Sequence, residues 1–338
     1  MKKFEQLTRM LSLYRSYILR RSKNVPLPIR LWIEPTSFCN LRCIMCPNKD
    51  IPKSEKGFME FSLFKKIIDE VSTFVHDINL FHRGESLLHP GIFKMIKYAK
   101  DKGLSTRLNT NATLLNEKKS YEILESGLDF LSFSFDGYDK KTYEKIRVGA
   151  NFDRTLNNII DFLLIKKKLC KNSPYTTFTV IEFPEDSFTL VKKDAKEQFI
   201  KKFNSLPLDH FVIRVPHNWS GIYNTKDASD KNFACCTFPW YSLTIFWDGS
   251  VLPCPQDFFG KLNLGNMKDS SLQDIWNGSK EVLLRERLSK KEYKDVVPCS
   301  SCDRLWRKKL FGLPTAELAR FLKDHVIGYN KVIRKILK

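Results

Sequence analysis

A chain of 338 residues is long enough for one enzyme domain with a smaller companion, and a 42% hydrophobic content with 26 phenylalanines builds a large core, which excludes general disorder. Fifty-seven basic against 38 acidic residues give a net charge of +19, which points to an anionic partner (a phosphate-bearing substrate, nucleic acid or an acidic membrane surface) or reflects only a lysine-rich composition. No window reaches about 18–20 uncharged apolar residues, so a membrane-spanning helix is excluded, and the lack of an apolar signal segment predicts a cytoplasmic protein.

Residues 1–28 read as a basic amphipathic N-terminal helix, with Phe4, Leu7, Leu11, Tyr14 and Ile18 at three- and four-residue steps and Pro26 and Pro28 closing it. Residues 29–230 alternate between strand and helix. Strands are predicted at Leu31–Glu34, Asp77–His82, Ser105–Asn109, Asp129–Phe135, Thr176–Phe183 and His210–Val215. Helices are predicted at 62–75, 91–102 (capped by Gly103), 116–126 (capped by Gly127), 151–169 and 187–204. Repeated βαβ units imply a parallel sheet with helices outside it, as an open wound sheet or an incomplete barrel. Either form collects ligands at the C-terminal ends of its strands. Residues 231–310 change character. Strands at Leu243–Phe246 and Val251–Pro253 flank Asp248-Gly249, a hairpin signature, and a helix follows near 271–288. Residues 311–338 read as a second basic amphipathic helix.

Nine cysteines, an odd number and clustered, argue for metal in a reducing compartment and against a disulfide framework. Cys39, Cys43 and Cys46 follow the first strand in a C-x3-C-x2-C spacing. Three thiolates hold three irons of a [4Fe–4S] cube and leave the fourth iron open. The competing reading is a zinc site with a distant fourth ligand. Cys170, at the end of an apolar helix, reads as an inert packed thiol.

These residues resemble the signature of the radical S-adenosylmethionine (SAM) superfamily. The likeness continues in order through Gly84-Glu85-Ser86-Leu87-Leu88-His89-Pro90, Asn109-Thr110-Asn111, Ser134-Phe135-Asp136-Gly137, Ile146-Arg147-Val148-Gly149 and His217-Asn218-Trp219-Ser220-Gly221. The C-terminal part resembles a SPASM or twitch domain of the single-cluster subgroup. It runs through Cys236-x2-Pro239-Trp240, Asp248-Gly249 to Cys254, Leu264-Gly265-Asn266, Ile275-Trp276 and Cys299-x2-Cys302. The resemblance implies a partial (β/α)6 TIM-like barrel with a small cysteine-rich C-terminal domain. It implies SAM chelated on the open iron held by Cys39, Cys43 and Cys46. It implies SAM contacts from Gly84 and Glu85 (amino group), Asn109, Asn111 and Ser134 (ribose side), Arg147 (carboxylate) and Met45 (adenine). Arg83 stands where the family usually has a glycine, which puts the local turn in doubt, and Ser86 replaces a common proline. Cys236, Cys254, Cys299 and Cys302 supply four ligands, which saturate an auxiliary [4Fe–4S] cluster suited to electron transfer; Cys235 competes with Cys236, and a zinc ribbon is the other reading.

His82, Asp136, Arg214, His217 and Trp219, at predicted strand ends, are candidates to face substrate. The expected activity is that of a radical SAM oxidoreductase. SAM is cleaved to a 5′-deoxyadenosyl radical, a hydrogen is abstracted from a small substrate (phosphorylated, sugar-like or nucleotide-linked), and an electron passes to the auxiliary cluster. The alternatives are a peptide- or protein-modifying radical SAM enzyme and a non-catalytic metal-binding scaffold. A flavodoxin- or ferredoxin-like donor is expected, and no nucleic acid, since no RNA-binding module is recognisable. The basic terminal helices suit peripheral membrane contact, although packing of the first against its own domain is the preferred reading.

Overall fold

Along β3 (Ser105–Thr110), Thr106, Leu108 and Thr110 are buried while Ser105, Arg107 and Asn109 are half-buried. β4 (Phe130–Ser134) and β5 (Tyr175–Ile181) repeat the pattern, with Leu131, Phe133, Phe178 and Val180 buried and Ser132, Ser134, Thr177 and Thr179 half-buried. A period of two thus gives these three strands a buried face, apolar save for Thr106, Thr110 and Thr176, and a half-buried, mostly polar face for the concave side. Register carries the polar face across strands, placing Asn109 beside Ser132 and Ser132 beside Thr177.

The computed structural model describes residues 3–183, 193–223 and 233–306, with the backbone of 309–310 and 313–314. The remaining elements of the barrel are α1 (Lys3–Ile18), β1 (Arg30–Ile33), α2 (Phe61–Val71), β2 (Asp77–Asn79), α3 (Ile92–Asp101), α4 (Glu117–Glu125), α5 (Lys140–Ile146), α6 (Phe152–Lys168), α7 (Lys193–Lys201) and β6 (His210–Arg214). The C-terminal part holds α8 (Phe238–Tyr241), β7 (Ser242–Ile245), β8 (Ser250–Leu252), β9 (Gly265–Asn266), α9 (Leu272–Asn277) and α10 (Ser279–Ser289). Strands β1 to β6 lie side by side and parallel, in the arrangement of a partial TIM barrel. β7 then pairs parallel to β1, so the sheet runs on from the barrel into the antiparallel β7–β8–β9 meander. The two parts therefore share one sheet.

Local chemistry sets the element ends. The side chains of Asn116, Asp139 and Asn151 cap α4, α5 and α6 by accepting backbone N–H groups of the first turn. Gly103 and Gly127 follow α3 and α4 in the left-handed region, at φ 81° and 78°. Under α6 and α7, Phe133, Phe135, Phe178, Phe199 and Phe203 form an aromatic core.

Some sequence expectations change here. The helix expected near 271–288 is two helices, because Gly278 adopts an extended conformation (ψ 159°) that ends α9 and begins α10. Cys170 is exposed rather than packed, because the chain leaves α6 at this residue through a left-handed turn (φ 50°). α5 and α8, unanticipated, are short. The expected helix at 187–204 is described only as α7, and its first residues lie outside the described residues. The helix expected over 311–338 also lies outside them, save that 313–314 pair as a short strand, β11 (Leu313–Pro314), with β10 (Lys309–Leu310).

α1 buries Met10, Leu13 and Tyr17, and the Tyr17 ring meets Trp240 of α8 edge-on at 5.5 Å. Its Arg9 donates to the Leu27 carbonyl, and Arg15 is exposed. α1 thus packs against its own chain, but with a face other than the expected one. Leu7, Leu11, Tyr14 and Ile18 of the expected apolar stripe are exposed, and the helix ends at Ile18, well before Pro26. No helix among the described residues is long and apolar enough to cross a membrane.

Candidate active site

Cys39, Cys43 and Cys46 lie on the loop that leaves β1 at the C-terminal mouth of the sheet. Backbone bonds hold this loop from two sides. Arg42 and Ile44 donate to the carbonyls of Val148 and Ile146, and Glu85 donates to that of Phe38. Gly84 presses flat against the loop: a β-carbon there would lie 2.2 Å from the Thr36 carbonyl oxygen and 2.5 Å from that of Phe38. Only glycine fits such an approach. Asn48 completes the staple, its amide nitrogen donating to the carbonyls of Ser37 and Arg83 at 2.7 and 2.8 Å. Lys56 in turn donates to the Asn48 side-chain oxygen.

The three thiols converge. Burial drives Cys39 up to about 12 and Cys46 up to about 11; Cys39 also feels Cys43 and Cys46 as further negative charge, and Cys46 feels Cys43. Cys43 also rises through burial, opposed chiefly by the nearby Arg147 guanidinium. Such thiols are protonated at neutral pH; iron would deprotonate them on binding, and Arg147 and Lys56 face the resulting charge. Three soft donors on one braced loop, with cations beside them, fit a [4Fe–4S] cube. Among the described residues no three His, Cys, Asp or Glu side chains share a single-ion site, which a cube, with its own iron for each sulfur, does not require.

The residues expected around SAM have these places. Glu85 is buried; its Oε1 accepts from the Leu87 N–H and the Thr110 hydroxyl, and its Oε2 from the Asn111 N–H at 2.7 Å. Burial still raises its pKa despite these donors. The Asn111 side chain holds Asn40, next to Cys39, at 3.0 Å. Asn109 and Ser134 stand on the polar concave face. Arg147 is buried and pairs with Asp136 at 2.7 Å, while its Nε, also buried, has no hydrogen-bond partner among the described residues. An orphaned donor beside the cysteine loop suits an incoming carboxylate. Met45 is half-buried, and its carbonyl accepts from the Trp219 indole N–H at 3.2 Å.

Of the substrate-facing candidates, His82 is enclosed, with 3% of its side chain exposed, and Asp136 is committed to Arg147 and to the Ile181 N–H. Arg214 is exposed at the end of β6. Trp219 sits in a loop the sequence picked out by resemblance but whose work it did not reveal. Trp219, Ser220 and Gly221 are successively left-handed, at φ 46°, 56° and 93°. That coil lets Trp219 reach Met45, Ser220 reach the Gln256 carbonyl and Asn218 reach the Ser301 carbonyl. One loop therefore touches three of the four segments that carry the two cysteine groups, those of Cys46, Cys254 and Cys302.

The second group gathers Cys236, Cys254, Cys299 and Cys302. Burial raises all four thiols, Cys236 to about 12, and Cys254 is raised further by each of the other three. Cys235 is turned away into the core, and its carbonyl accepts from the Tyr17 hydroxyl at 2.7 Å. Four converging thiols fit a cube with every iron held by protein.

Arg83, the departure that put the turn in doubt, leaves Gly84 undisturbed. Its side chain points away from the cysteine loop into a two-point ion pair with Glu34, at 2.6 and 2.7 Å.

Comparison with known proteins agrees with this geometry. The family model described as the radical SAM superfamily matches residues 33–172, and that described as an iron–sulfur cluster-binding domain (SPASM) matches residues 235–303. The tungsten-containing aldehyde ferredoxin oxidoreductase cofactor-modifying protein of Pyrococcus furiosus is 25% identical over 81% of this chain and 88% of its own. The S-adenosyl-L-methionine-dependent 2-deoxy-scyllo-inosamine dehydrogenase of Niallia circulans is 22% identical over 81% of this chain and 92% of its own. A crystal structure of BtrN in complex with AdoMet and 2-DOIA superposes with a TM-score of 0.56 at 21% identity, covering 82% of this chain and 93% of that one.

Proposed function

Because the chain is a radical SAM enzyme with a C-terminal iron–sulfur cluster-binding domain, we infer that it oxidises a small anionic molecule by two electrons. Its cofactors are [4Fe–4S] clusters and SAM. When bound, they supply a 5′-deoxyadenosyl radical that takes one hydrogen atom, and an acceptor for the electron that remains. The substrate thus loses a hydrogen atom, an electron and a proton, the balance of an alcohol becoming a carbonyl.

The observation that carries this reading is the set of four converging thiols, Cys236, Cys254, Cys299 and Cys302. Four protein ligands leave no iron open to substrate, so a cluster there has electron transfer as its task. Cys39, Cys43 and Cys46 hold the site with the open iron, and Gly84, Glu85, Asn111 and Arg147 surround it. Asn109, Ser134 and Met45 line the approach. The likeness to a protein named as an inosamine dehydrogenase supports a small polyol-like substrate, and the net charge of +19 supports a phosphorylated or nucleotide-linked one. The same charge favours an acidic flavodoxin- or ferredoxin-like donor. Leu7, Leu11 and Ile18 of α1 are exposed beside Arg15, which supports peripheral contact with an anionic membrane.

The test is a panel of phosphorylated sugars, cyclitols, sugar nucleotides and short peptides, incubated anaerobically with SAM and reductant. A ketone or aldehyde product, two mass units lighter and equimolar with 5′-deoxyadenosine, supports the reading. Turnover of a peptide alone overturns it.

A further inference from the structure

Glu34 directly follows β1 and is fully buried. Burial alone would raise its pKa, but the hydrogen bonds from Arg83, with the His82 imidazole nearby, outweigh that and hold it at about 2. Besides the two-point pair with Arg83, the carboxylate accepts the Arg83 N–H at 3.3 Å and the Trp247 N–H at 3.4 Å. The Arg83 guanidinium carbon lies 3.4 Å from the centre of the Phe246 ring. One cation therefore spans a carboxylate of the barrel and an aromatic of the β7–β8 hairpin.

His82 extends the contact. Its Nδ1 is 3.5 Å from Glu34 Oε2, and its Nε2 is 2.9 Å from the carbonyl oxygen of Pro255. A carbonyl only accepts, so Nε2 carries a proton. The ring is held between Phe246 and Phe258, at 5.5 and 5.7 Å. Pro255 is bonded to Cys254. At the other end, the Arg83 carbonyl accepts from Asn48, two residues past Cys46. A buried run of short contacts thus leads from Cys46 through Asn48, Arg83, Glu34 and His82 to Cys254.

We propose that Arg83, Glu34 and His82 are positioning residues that fix the first cysteine site relative to the second. The β1–β7 pairing fixes the sheet itself, but the cysteines lie on loops beyond its strand ends, where an apolar contact would permit sliding. A forked ion pair and an imidazole hydrogen bond have set directions and do not. Arginine is the residue that can do this at position 83: glycine has no fork, and lysine is a point charge. The proposal rests on the two-cluster reading above.

His82→Phe keeps a ring between Phe246 and Phe258 but removes the Nε2–H, and His82→Gln keeps an amide N–H of similar reach. Arg83→Lys keeps the charge without the fork. Each protein is reconstituted anaerobically, its iron is counted, and two readouts follow. One is the spin–spin interaction between the two reduced clusters by electron paramagnetic resonance; the other is backbone amide exchange. The wild type is expected to show one well-defined interaction. In His82→Phe and Arg83→Lys it broadens, amides of 246–258 exchange about tenfold faster or more, and α4 to α6 are unchanged. His82→Gln returns toward wild type. Both readouts unchanged in His82→Phe and Arg83→Lys would overturn the bridge. A wild type holding a single cluster overturns the two-cluster reading instead, and exchange over 246–258 then decides the bridge by itself.

Discussion

Arg147 and Asp136 meet at 2.7 Å, with side chains 7% and 1% exposed, beside the cysteine loop that Arg147 also faces. The pair explains how a guanidinium stays buried there. Asp136 raises the Arg147 pKa against the lowering by burial, so the group is charged at any working pH. Arg147→Met strands the Asp136 carboxylate and is expected to cost about 3 kcal/mol in a urea titration. Arg147→Lys should keep much of that stability while losing SAM affinity, because an ammonium has no fork. Wild-type stability in Arg147→Met would show that the pair holds nothing.

Gly84→Ala puts a β-carbon 2.2 Å from a backbone oxygen of the cysteine loop. The loop must shift, and with it Cys39. Iron after reconstitution should fall by about four per chain, the second cluster remaining. Full iron content would show that the loop gives way freely.

Glu281 and Arg285 are both fully buried on α10, 3.7 Å apart, and neither Glu281 oxygen has a hydrogen-bond partner among the described residues. Burial raises the Glu281 pKa to about 7, against the pull of Arg285. The native chain therefore binds this proton more tightly than the unfolded chain does. Between pH 4.5 and about 7 stability falls as pH rises, and above that the loss is complete. The full effect is on the order of 3 kcal/mol. Glu281→Gln should flatten that part of the stability–pH curve of the cluster-free protein; an unchanged slope would place the titration elsewhere.

Cys170 is the exposed thiol of the described residues, beyond α6 and far in sequence from both groups. A maleimide should label it first in the native protein, and Cys170→Ser should keep full iron. Loss of iron in that variant would give Cys170 a part it lacks in the structure.

Legibility followed sequence distance. The triplet Cys39, Cys43, Cys46 fits within eight residues, so its spacing was readable, as was the alternation of strand and helix that makes the sheet parallel. The caps at Asn116, Gly103 and Gly127 are likewise local. Contacts made by the sheet were not readable: Glu34 and Arg83 are 49 residues apart, and Trp219 and Met45 are 174 apart. Arg83 read as a departure because its partner, Glu34, lies just past the end of β1. Cys235 and Cys236 could not be separated by spacing, since the choice is made by which side of the chain faces the core. The single helix expected near 271–288 runs through Gly278, whose extended conformation divides it into α9 and α10.

Anaerobic reconstitution with iron and sulfide, followed by SAM and dithionite, compares the wild type with Cys39→Ala/Cys43→Ala/Cys46→Ala. About eight irons per chain should fall to about four in the triple variant, and 5′-deoxyadenosine should form with the wild type alone. Bound zinc in place of iron, or no 5′-deoxyadenosine from a fully loaded wild type, would contradict the two-cluster enzyme.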